Sequence, residues 1–81
     1  MTPETADRPT PVQRHEMIAV AAYYLAEQRG FVPGAAHSDW LIAERTIDTM
    51  IADRRLVGTM SPEMGRRLIR NALVLSGAEA D

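Results

Sequence analysis

The six residues Arg29-Gly30-Phe31-Val32-Pro33-Gly34 constrain this chain more than any other stretch. They follow a long apolar run, and Gly30 is the residue type that accepts the left-handed backbone at the end of a helix. Pro33-Gly34 has the order of a type II turn, with Pro setting φ and Gly accepting a positive φ. Six positions after Gly34 comes Trp40, the one tryptophan, at the head of a second stretch with helical periodicity. A helix stop, a tight turn and a helix start in that order specify a helical hairpin.

The periodicity predicts three helices, over residues ~11–29, ~39–56 and ~62–76, with boundaries good to about two to four residues. The first start is marked three times: Thr10 suits an N-cap, Pro11 the first helical position, and Gln13 the reciprocal position of a capping box. Ser38 is expected to cap the second helix, with Asp39 in its first turn, and Gly58 to stop it. Ser61-Pro62-Glu63 opens the third, and Gly77 is expected to close it. In the second helix Trp40, Ala43 or Glu44, Ile47, Met50 or Ile51, and Arg54 fall on one side, widened by Leu41 and Ile42. In the third, Met64, Leu68, Ala72 and Leu75 form the expected inner stripe, flanked by Ile69 and Leu73. Phe31 and Val32 are expected to fold down onto the helices and cover Trp40. No strand pattern competes. The expected organisation is a tail over residues 1–9, one helical domain over 10–77, and a frayed end over 78–81.

With 81 residues, no cysteine, and aromatics at 5% against 46% hydrophobic residues in all, the interior must be filled by aliphatic side chains, Met and Ala. That suits helix packing more than sheets. A small domain without disulfides gains stability by oligomerising. The formal charge of −2 argues against a general attraction to nucleic acid or anionic membrane. No run reaches the roughly 18–20 apolar residues of a spanning helix, so the chain is expected to be a cytoplasmic protein without a membrane partner.

Residues Met17 to Ala26 carry no charge on any side of their helix. A helix that is apolar all round is buried all round, and with two other helices available this pattern points to a second chain or to one exposed Ala-rich face. Met17, Val20, Ala21 and Tyr24 are the expected partner surface.

At the hairpin, Tyr23-x-Leu25, Glu27, Arg29-Gly30, Pro33-Gly34 and Asp39-Trp40-Leu41-x-Ala43-Glu44 resemble the small bacterial domain of unknown function DUF2934. The resemblance covers roughly residues 14–51 and rests on the joint spacing of Gly30, Gly34, Trp40 and Ala43-Glu44. Ala26 departs from it, since the family tends to place a large aromatic there. The resemblance implies a helical hairpin and no activity.

Chemistry is sparse in the remaining pattern. Glu44, one turn after Trp40, reads as a structural carboxylate bonded to the loop amides of residues 30–34 or to Arg29, without a partner for acid–base work. His15 and Glu16 are neighbours and diverge by about 100° on a helix. His37 reads as a loop residue. No metal, cofactor or catalytic set is expected, and the chain reads as a non-enzyme. Tyr23, Tyr24, Phe31 and Trp40 read as core rather than as a ligand cage. Arg54, Arg55, Arg66, Arg67 and Arg70 face only Asp53 and Glu63 over residues 53–75, a local balance of +3, which would suit phosphates. The charge pattern favours a solvated face. The sequence therefore describes an all-α domain of three helices acting as a protein–protein interaction or homo-oligomerisation module, with nucleic-acid binding through the Arg set as the alternative.

Overall fold

The structure, a computed structural model, describes the backbone of residues 8–80 and the side chains of residues 8–74. The tail expected over residues 1–9 falls outside the described residues except for Arg8 and Pro9, as does Asp81 at the other end.

Helix α1 (Pro11–Gln28) begins where its cap residues place it. The Gln13 amide donates to Thr10 Oγ1 at 3.1 Å, and the Thr10 amide donates back to Gln13 Oε1 at 2.8 Å. The helix ends at Arg29, and Gly30 follows with φ of 72°. Two bonds close it: the Gly30 amide donates to the Glu27 carbonyl (3.0 Å) and the Phe31 amide to the Ala26 carbonyl (2.8 Å). These are the 5→2 and 6→1 bonds of a left-handed helix stop. Gly34 also has a positive φ, 97°, as the Pro33-Gly34 pair requires.

Helix α2 (Ala36–Ala52) is displaced towards the N-terminus from its expected span of 39–56. Ala35 occupies the cap position without a side-chain bond, so Ser38 and His37 lie inside the first turn. The early start turns Asp39 inward, where it is buried and pairs with Arg29. The early stop has a packing reason. Leu56 lies nine residues after Ile47, which on a continuing helix is about 180° away, facing solvent. Ending the helix at Asp53 lets Leu56 swing into the core, where it is 1% exposed.

Gly58 therefore is not the stop of α2. Arg54 takes that role with φ of 62°, and the Arg54 and Arg55 amides bond the Ile51 and Met50 carbonyls at 3.0 and 2.8 Å.

Helix α3 (Pro62–Ala80) opens as expected, with the Met64 amide donating to Ser61 Oγ at 3.2 Å. It runs through Gly77 rather than ending there. A glycine inside a helix costs only about 1 kcal/mol and does not stop it unaided. Its buried side chains are Ile69 and Leu73, with Leu68 and Ala72 only partly buried and Met64 exposed. The inner stripe is thus turned by one residue from the expected one.

Helix α1 is the centre of the fold: α2 packs on one of its sides and α3 on another, while α2 and α3 scarcely touch. One core joins them, made of Ile18 and Ala21 from α1, Ala43, Ile47 and Met50 from α2, Leu56 from the connection, and Ile69 and Leu73 from α3. Each fully buried aliphatic side chain contributes roughly 1.5–3 kcal/mol. Trp40 is only half-buried. Its ring lies 5.1 Å from that of His15, and Phe31 and Val32 remain exposed beyond it. The left-handed Phe31 (φ 59°) directs its ring to Tyr23, 5.5 Å away, and not to the core.

Candidate functional site

The apolar girdle of α1 has an intramolecular explanation, because two helices of the same chain cover most of it. Ala21 is fully buried against them and is unavailable to any partner. This corrects its place in the expected partner surface. Met17, Val20 and Tyr24 are half-buried at the margin of the core. What remains uncovered is a narrower stripe of Val12, Glu16, Ala19 and Tyr23, all exposed. These residues are spaced by 4, 3 and 4, the interval that keeps side chains on one side of a helix.

Two hollows lie beside the stripe. One, of about 370 Å3, opens between α1 and α3 over Met17, Val20, Met60 and Ile69, with Glu16 and Arg66 among its walls. The other is shallower and lies over Ala19, Val20, Tyr23 and Tyr24, again walled by Arg66. Arg66 separates the two. Tyr23 is also the middle ring of a row, with Tyr24 at 5.9 Å and Phe31 at 5.5 Å. The aromatics thus divide: Trp40 packs on the core with His15, while Tyr23 and Phe31 face outward.

Gly30, Gly34, Trp40 and Glu44 all lie on the α1–α2 hairpin, but Glu44 has a different partner from the expected one. It accepts from Arg14 at 3.2 Å, not from Arg29 or the loop amides. Arg14 also grips Asp48 through two bonds, at 2.8 and 2.9 Å. These bonds raise the Arg14 pKa, those to Asp48 most and that to Glu44 next. The same contact lowers the Asp48 pKa. Arg29 instead pairs with the buried Asp39. Both ion pairs were latent in the sequence as Asp39, Glu44 and Asp48, spaced by 5 and 4 along one helix. Their partners on α1 only become apparent once the hairpin sets the register.

The basic residues of the second half lie on two parts of the chain, the turn after α2 and helix α3. Arg54 and Arg55 lie just beyond α2, where Arg55 is 3.7 Å from Asp53. Arg66 and Arg70 share a side of α3, one turn apart, and Arg67 is turned about 100° from Arg66. All are exposed, and among the described residues Arg66, Arg67 and Arg70 have no ion pair. No group of three or more His, Asp or Glu side chains gathers in metal-binding fashion among the described residues. No described helix is long and apolar enough to cross a membrane.

No curated protein and no solved structure matches the chain. Residues 13–49 match the model of the family described as "Protein of unknown function (DUF2934)". The matched segment holds nearly all of α1, the first turn and most of α2, including Gly30, Gly34, Trp40 and Glu44. It leaves out the second connection and α3. The α1–α2 hairpin is therefore the part of this chain that is similar to the DUF2934 family.

Proposed function

We propose that the chain is a non-enzymatic protein-interaction module of the cytoplasm, in which α2 and α3 hold α1 so that its uncovered face meets another protein chain. The observation that carries this reading is the exposed stripe of Val12, Glu16, Ala19 and Tyr23 beside two apolar hollows. Val12 is 68% and Tyr23 55% exposed, and grouped apolar exposure of this kind marks contact surfaces. Tyr and Arg are over-represented among residues that dominate binding energy, and here Tyr23 and Arg66 share one hollow.

Photo-crosslinking in the native cell tests the reading. A benzophenone amino acid at Ala19 or Tyr23 should give adducts with a protein chain, whereas the same probe at the exposed positions Ala52 and Asn71 should not. Adducts at all four positions alike, or at none, would remove the interaction face.

Nucleic-acid binding is supported by one observation, the exposure of Arg66, Arg67 and Arg70 without acidic partners among the described residues. If that reading holds, retention on DNA falls steeply with salt and Arg67→Glu weakens it. The formal charge of −2 weighs against it.

A further inference from the structure

We infer that the occupant of the uncovered α1 face is a second copy of this chain, its α1 lying antiparallel to the first across a two-fold axis at Ala19. This rests on the interaction reading above and names its partner. Three features carry it.

The first is spacing. Val12, Glu16, Ala19 and Tyr23 follow the 4-3-4 interval of a helix–helix seam. Over these residues α1 rises about 16 Å, roughly three turns of contact. The second is size. Ala19, exposed at the middle of the stripe, is small enough for two helices to approach within the usual 8–10 Å or so. The third is charge, and it decides the orientation. In a parallel pair, Glu16 would face Glu16 across the seam, and like charges at such positions repel. With the chains antiparallel about Ala19, residue numbers on facing positions sum to about 38. Glu16 then stands at the level of Ala22 and Tyr23 of the second copy. Tyr23 lies in the hollow walled by Arg66, so one copy's carboxylate meets the other's phenol and guanidinium. The two-fold axis makes each such contact twice, as a closed dimer requires. Within one chain, Glu16 and Arg66 wall the same hollow without an ion pair, which leaves both charges available to the second copy.

Sedimentation equilibrium on the full chain tests this. The wild type at about 100 μM, a typical working range for affinities of this class, should run at twice the 9.0 kDa chain mass. Ala19→Arg places a long cation on the axis at an exposed site. It should run as 9.0 kDa with the helical circular dichroism of the wild type, and with the melting point that the wild type shows when diluted to monomer. Glu16→Arg and Arg66→Glu should each weaken the dimer about tenfold or more, and the double swap should restore it to within a few-fold of wild type.

A wild type that stays monomeric at millimolar concentration overturns the inference. So does a dimer that survives Ala19→Arg, or a double swap that does not restore pairing. If the wild type is monomeric while Tyr23 still crosslinks to a different protein, self-pairing falls and the interaction reading stands.

Discussion

The turn from α1 into α2 and the turn from α2 into α3 stop their helices with the same pair of hydrogen bonds, yet different things hold them. At the first, the left-handed residue is Gly30, and a Cβ added there or at Gly34 would meet nothing within 4 Å. Phe31 and Val32 beside them are more than half exposed. That turn rests on backbone freedom and on the ion pair of Arg29 with the buried Asp39, not on apolar packing. At the second, Arg54 occupies the left-handed position despite its Cβ, at a cost of roughly 1–2 kcal/mol. Leu56, two residues on, is fully buried and offsets that cost with roughly 1.5–3 kcal/mol. Gly58 is hemmed in as well: a Cβ there would lie 2.9 Å from the Arg8 carbonyl oxygen and 3.0 Å from Gln13 Oε1. Both turns carry a non-glycine at positive φ, Phe31 after the first helix stop and Arg54 at the second, so they differ in which residue stops the helix and in whether a buried side chain such as Leu56 packs beside it.

The largest effect that separates the two is at Leu56. Leu56→Ala should cost about 2–5 kcal/mol, as for other buried leucines, whereas Val32→Ala in the first turn should stay within about 0.5 kcal/mol. Urea denaturation measures both, and equal losses would erase the distinction. Next comes Gly58→Ala, which forces a methyl group against the Arg8 backbone and should cost about 1–3 kcal/mol. It should also loosen the start of α1, because Gln13 Nε2 donates to the Gly58 carbonyl at 3.0 Å. Faster hydrogen exchange at the Gln13 amide would register this. A neutral Gly58→Ala would show that the second turn is not held by close packing.

The same difference governs how much of the molecule was legible in the sequence. The first turn and the cap of α1 were readable because Gly30, Pro33-Gly34 and Thr10-Pro11-x-Gln13 state their backbone conformations locally. The end of α2 was not, since no local signal makes Arg54 left-handed. That follows from Leu56 needing the core, which is a tertiary fact. Helical periodicity placed Ile47 and left Ala43 or Glu44 and Met50 or Ile51 open, and packing on α1 selects Ala43 and Met50. Periodicity missed the inner stripe of α3 by one residue, because Leu68, Ile69, Ala72 and Leu73 are apolar neighbours and only the angle of packing on α1 chooses between them. The same blindness assigned Ala21 to a partner. An uncharged helix does not announce that its own chain covers two of its sides, so the candidate surface emerged only as the remainder.

A mirror-image pair of substitutions sharpens the comparison at about 1 kcal/mol. Gly30→Ala should destabilise by about that amount, and Gly30→Val by more, through strain in the left-handed region alone. At Arg54 the order reverses. Arg54→Ala removes the side chain and every interaction it makes but keeps the Cβ, and Arg54→Gly removes the Cβ as well. The glycine variant should therefore be the more stable of the two by about 1 kcal/mol. Thermal or chemical melts of the four proteins decide this. If Arg54→Gly were no more stable than Arg54→Ala, Arg54 would not be strained and the two helix stops would be equivalent.

The smallest effect lies at the opposite end of the hairpin, where closure is electrostatic. The hydrogen bonds from Arg14 lower the Asp48 pKa, burial opposes them, and the charge attraction adds a smaller lowering. A carboxyl whose pKa is lower folded than unfolded stabilises the fold fully above its unfolded pKa. That contribution is lost as the pH falls through the folded value. Asp48→Asn should therefore lower the denaturation midpoint near neutral pH, and the gap to wild type should close in acid, as the pH falls through the lowered folded pKa of Asp48. The effect should be the least of those described, since both side chains are well exposed, at 38% and 49%, and such pairs are screened by salt. The gap between Gly30→Ala and wild type, which arises from backbone strain, should persist unchanged across the same range. If instead the Asp48→Asn gap persisted in acid, the bond to Arg14 would not be what Asp48 contributes, and closure at this end of the hairpin would rest on the core and on the Arg14–Glu44 pair.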